Sequence, residues 1–105
     1  YAFASVRYKL YCDLFYDCLF ICPDEEFVNE NKEGVFAYLE THNDLYAARI
    51  RGYYYLYKSD FVSALKEISL ARELYPFYPL KGIADMEMAL VDDLECLVAE
   101  CSALS

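Results

Sequence analysis

The chain has 105 residues, 18 acidic and 9 basic, for a net charge of -9. That length suits one domain of ordinary size, and the charge argues against a partner whose phosphates must be neutralised by Lys and Arg. Hydrophobic residues make up 58% and aromatics 18%, with three Gly and three Pro, which excludes a disordered or loop-rich all-β chain and predicts an all-α fold.

Helix one is predicted over Val6 to Ile21, where Leu10, Leu14, Cys18 and Ile21 recur at helical spacing beside Tyr11, Phe15 and Leu19. Pro23 stops it. Asp24 then reads as an N-cap, and Glu25 and Glu26 suit the first turn of helix two, which runs to about Leu39. Gly34 inside it implies either a weak helix or a closely packed neighbour. Thr41 to Asp44 form a loop with Asn43 or Asp44 as cap, and helix three spans Leu45 to Tyr57.

Lys58, Ser59 and Asp60 make a short turn before helix four, Phe61 to Tyr75, whose stripe is Phe61, Ala64, Leu65, Ile68, Ala71 and Leu74. Pro76 and Pro79 break the chain. Helix five then runs from Leu80 or Lys81 to Ala103, with its single Gly, Gly82, in the first turn. Short connections between consecutive helices imply antiparallel neighbours, hence stacked helical hairpins of about five helices.

Cys12, Cys18, Cys22, Cys96 and Cys101 are odd in number and lie within apolar helical patterns, so they read as free thiols of a reducing compartment, cytoplasmic or nuclear. No Cys-x-x-Cys pair accompanies the lone His42, so no metal site is expected. The acids Asp24, Glu25, Glu26, Glu30 and Glu33 lack the central Gly of a calcium loop and read as a solvated helix face. With neither a nucleophile beside a base nor a phosphate-cradling Gly loop, no catalytic residue and no cofactor are expected. No stretch reaches the roughly 20 apolar residues of a membrane span.

Around Gly52 the pattern becomes specific. Gly52, Tyr55, Ala64, Ile68, Ala71 and Pro76 stand at the offsets of a tetratricopeptide repeat, and Ser59, Asp60 and Phe61 look like that family's inter-helix turn. The segment from Leu45 to Tyr78 therefore resembles one such repeat. Ala48 and Arg51 replace the family's Trp and Leu, and one period of about 34 residues earlier the pattern survives only at Phe27 and Ala37. The resemblance implies a short solenoid forming a single domain over 1–105. Because two and a half repeats fall short of the usual three or more, and because the chain opens on Tyr1, a fragment of a longer chain or assembly is expected.

The resemblance also implies a function. The first helix of each repeat lines a concave groove for peptides, and on helix three Tyr46, Arg49, Tyr53 and Tyr57 share one face at i, i+3, i+7 and i+11. The same positions one period earlier hold Cys12, Phe15, Leu19 and Pro23. Expected, then, is a non-enzymatic interaction module that binds another protein or a peptide in this groove, as a scaffold or adaptor. Tyr rings would give contact area and Arg49 would orient the ligand. The alternative is a peptide-sensing regulatory domain whose effector lies outside this chain; a purely structural subunit is the third. Arg51 is expected between Asp17 and Asp85, one repeat length away on either side. Helix 81–103, apolar around much of its circumference at Met86, Met88, Ala89, Leu90, Leu94, Leu97 and Val98, is the expected face for an oligomer or obligate complex.

Overall fold

The computed structural model describes residues 13–41 and 45–104 and divides the chain into two compact units, 1–42 and 43–105. The fold is all-α, with five helices and no strand among the described residues.

In the first unit, α1 is helical through residues 13–20; the part of the expected first helix before Asp13, including Leu10, Tyr11 and Cys12, lies outside the described residues. It closes where the Ile21 and Cys22 amides both donate to the Asp17 carbonyl (3.0 and 2.9 Å), and Asp24 N–H donates to Cys18. Pro23 has no N–H with which to continue the ladder. The next helix, α2 (Glu25–Thr41), is capped by Asp24, whose Oδ1 accepts from the Phe27 amide at 3.0 Å. Among the described residues of this unit, Phe15, Leu19, Val28 and Val35 are buried. Among the described residues, nothing lies within 4 Å of where a Cβ of Gly34 would stand. His42, Asn43 and Asp44, and with them the expected cap of helix three, lie outside the described residues.

The second unit is a hairpin with a third, longer helix against it. Its elements are α3 (Leu45–Tyr57), α4 (Phe61–Leu74), a 3₁₀ turn at Tyr75–Phe77 and α5 (Lys81–Ala103). Arg51 and Glu67, each six residues from the helix end at the intervening turn, meet at 2.8 Å, which makes α3 and α4 antiparallel. Pairings of Arg49 with Glu87 and of Gly52 with Leu94 advance together, so α5 runs parallel to α3. Against α4 the order reverses: Arg72 meets Asp92 and Glu95, while Tyr75, farther along, meets Asp85.

The turn that makes the hairpin is built by backbone geometry. Ser59 takes a left-handed conformation (φ 59°), Asp60 N–H donates back to Tyr55 at 2.8 Å, and Ser59 N–H to Leu56 at 2.9 Å. This is the Schellman end of a helix, where Gly is the usual residue. Asp60 then caps α4 by accepting from the Ser63 amide, and the hydrogen bonds of the Ser63 side chain and amide hold its carboxyl below its ordinary value. Pro76 does not end the chain's helical winding outright. It occupies the start of the 3₁₀ turn, where its missing N–H leaves no ladder bond unmade, and α4 stops at Leu74 rather than Tyr75.

Close packing is concentrated at Gly52. A Cβ there would lie 2.7 Å from Leu94 Cδ2 and 3.7 Å from Glu67 Cβ, and Leu94 is fully buried. Gly52 thus lies close to both α4 and α5. Ala64, Ala71 and Ala84, all buried, add small side chains at the helix contacts.

Two substitutions separate the roles of the glycines. Gly52→Ala gains helix propensity but drives a methyl against the Cδ2 of the fully buried Leu94, for a net loss of about 1 kcal/mol; Gly34→Ala meets no atom of the described residues within 4 Å and gains about 0.5–1 kcal/mol. Urea titration of both variants checks the opposite signs. Ser59→Gly relieves the left-handed strain and raises stability by about 1 kcal/mol in the same titration.

Candidate functional site

The face of α3 singled out by periodicity is largely internal. Tyr46, Arg49 and Tyr53 are buried, within a run from Leu45 to Tyr53 that is buried throughout. A guanidinium in such a place needs a matched acid, because an unpaired buried charge loses its hydration without return. Glu87 of α5 provides it: Arg49 Nε donates to Oε2 at 2.7 Å and Nη2 to Oε1 at 3.3 Å. Its cation also lies over two rings of its own helix, 5.4 Å from the centroid of Tyr46 and 5.7 Å from that of Tyr53. Burial by itself would lower the Arg49 pKa, but the hydrogen bond and charge of Glu87 outweigh it and hold Arg49 above its ordinary value.

This corrects the expected ligand contacts. Arg49 does not present its fork to solvent for a ligand, because an acid of the same unit already occupies it. Tyr46 and Tyr53 flank that pair in the interior instead of forming an open aromatic wall. Only Tyr57, half-buried, reaches the margin, where Lys58 lies over its ring at 5.6 Å and over that of Tyr54 at 5.9 Å. Phe15 and Leu19 belong to the first unit and are buried there, at 0% and 3% exposure, so neither offers its side chain as a ligand surface.

The second expected constellation resolves differently from the repeat-length ladder. Arg51 bonds Glu67 Oε1 through Nε at 2.8 Å. Asp85 is engaged close to home: it accepts from the Tyr75 hydroxyl of the 3₁₀ turn and from Lys81 of its own helix at 3.1 Å, and these bonds hold its carboxyl below its ordinary value. Asp17 lies in the first unit, where its carbonyl closes α1. The Arg51–Glu67 bond follows from hairpin register.

Two residues that matter here escaped the sequence reading. Glu87 sits on the line Ala84, Glu87, Val91, Leu94, Val98, the inward seam of α5, and all five are buried. A lone acid on an otherwise apolar inward seam is the readable signal that a cation faces it. Glu67, which engages Arg51, is half-buried on α4 with Ala64 and Ala71 a turn away on either side.

Among the described residues no group of three His, Cys, Asp or Glu side chains could hold a metal ion, and Cys18, Cys22, Cys96 and Cys101 are free thiols. No buried side-chain nitrogen or oxygen lacks a partner there either. No described helix is long and apolar enough to cross a membrane. Comparison of the chain with protein-family models, with curated proteins and with solved structures finds no match.

Breaking the internal pair should be costly and replacing it cheap. Arg49→Ala strands Glu87 and is expected to lose about 3–5 kcal/mol, whereas Arg49→Met combined with Glu87→Leu recovers most of that loss. Chemical denaturation of the two single variants and the double variant measures the coupling.

Proposed function

We propose that the chain is a protein-interaction module built of tetratricopeptide-like helical hairpins, serving as a scaffold or adaptor by binding a partner protein. The observation that carries this reading is where large apolar side chains remain exposed. Val62, Leu65, Phe77, Leu80, Met86 and Leu97 of the second unit are all on the surface. Extended exposed apolar area on a small domain marks an interface far more often than isolated exposed residues do.

The working surface assigned by this proposal is therefore the exterior of the second unit. The Tyr46–Arg49–Tyr53 face is given a structural role, because its charge is satisfied by Glu87 and its rings are buried. A photo-reactive side chain placed singly at Ile21, Val62, Phe77 and Leu97 of the full chain tests the reading in cell extract. Expected is a cross-link to the same protein from a subset of positions on the second unit, abolished by excess unlabelled chain. Cross-links that are equal from every position and insensitive to that excess overturn it.

A further inference from the structure

The α5 helix has two apolar seams. One, through Ala84, Val91, Leu94 and Val98, is buried against its own unit. The other consists of Ile83, Leu90, Leu97 and the capping Leu104, each seven residues from the last, with Met86 three beyond Ile83. Their exposures are 38%, 36%, 42%, 88% and 65%. A seven-residue repeat of large aliphatic side chains along about 32 Å of helix is the pattern with which one helix seats another.

Charge selects among possible occupants. The positions three beyond Leu90 and Leu97, equivalent to Met86, hold Asp93 and Glu100, both exposed. The other exposed acids of this face of the unit are engaged: Asp92 and Glu95 by Arg72, and Asp85 by Lys81. No ion pair holds Asp93 or Glu100 among the described residues. Glu100, moreover, stands in the last turns of a helix that has no basic residue in its last turn, so it faces the negative end of the helix dipole uncompensated. A second copy would bring the same acids to the same seam, with only Lys81 on α5 to oppose them. Anionic lipid is repelled for the same reason.

Resting on the reading of the chain as an interaction module, we propose that this outer seam of α5 binds an amphipathic helix of another protein, one with Lys or Arg flanking its apolar stripe. Leucines of the seam supply the buried contact. Asp93 and Glu100 select the partner and fix its register by pairing with its cations, which also relieves Glu100 of the helix-end field.

The test uses the full chain and two synthetic peptides of about three heptads each, with Leu at a and d and either Lys or Glu at e and g. Fluorescence anisotropy should show saturable one-to-one binding of the Lys peptide and none of the Glu peptide. Leu90→Ser and Leu97→Ser, both surface substitutions whose folding is verified by circular dichroism, should each weaken the Lys peptide at least tenfold. Asp93→Lys with Glu100→Lys should exchange the preference and recruit the Glu peptide. Binding of the Lys peptide that is indifferent to both serine variants would show attraction by net charge alone and overturn the proposal. So would a dimer of the chain in sedimentation that Leu90→Ser dissociates, since a second copy would then own the seam. If the cross-linking scan finds a specific partner through Val62 or Phe77 while the Lys peptide fails, the seam assignment falls and the interaction-module reading stands.

Discussion

The Arg49–Glu87 pair is the constraint around which the second unit is arranged. Two charges withdrawn from water regain little net energy from each other, and an apolar pair of the same volume would serve stability as well or better. What such a pair does impose is position. A bidentate bond tolerates little displacement, so α5 must present Glu87 at the level of Arg49 and cannot slide by a turn against α3 without stranding both charges. The rings of Tyr46 and Tyr53, one turn either side of Arg49, tighten the same demand by giving the cation faces to lie over.

Gly52 enforces that register in steric terms. With Glu87 opposite Arg49, Leu94 arrives at the part of α3 where only a residue without a Cβ leaves room. The polar lock and the steric slot lie about one turn apart on α3, and each is satisfied only when the other is. Arg51 and Glu67 do the corresponding work between α3 and α4, where the Ser59 turn already fixes the approach. The unit thus has one specified contact for each pair of helices: Arg49–Glu87, Arg51–Glu67, and Arg72 with Asp92 and Glu95.

Helix boundaries were legible because they are set by local chemistry. Pro23 and the Asp24 cap, the Lys58–Asp60 turn and the Pro76–Pro79 break each act within a few residues of themselves, and α3 and α5 follow the predicted limits. Elsewhere boundaries are displaced: α2 continues to Thr41, past the expected Leu39, and α4 ends at Leu74 in place of Tyr75 because Pro76 fits a 3₁₀ start. Periodicity likewise placed Tyr46, Arg49, Tyr53 and Tyr57 on one face, but a period says nothing of what lies opposite. The neighbour that closes on Arg49 is 38 residues away in sequence, and its identity was readable only as an acid out of place on the apolar seam of α5. The Arg51–Glu67 bond escaped the reading for a related reason. Repeat spacing orders equivalent helices along a stack, whereas Glu67 lies across the hairpin, on the helix folded back by the turn.

The distribution of the remaining charge is what separates interior from interface. Basic residues are few, and five of the six in the second unit are engaged: Arg49 and Arg51 inside, Arg72 to two acids of α5, Lys81 to Asp85 and the Tyr75 hydroxyl, Lys58 over two tyrosine rings; the sixth, Lys66, is exposed on α4. None of the second unit's ion pairs among the described residues reaches Asp93 or Glu100 on the outer seam of α5. An apolar stripe bordered by acids that no cation of the same unit engages is stable in water while exposed, because the carboxylates stay hydrated and discourage pairing between copies. Covering the stripe with an uncharged helix would dehydrate Asp93 and Glu100 at a cost that the buried leucines must offset. Covering it with a cation-flanked helix converts that cost into paired contacts, so the same two carboxylates that keep the isolated surface soluble also restrict what can occupy it.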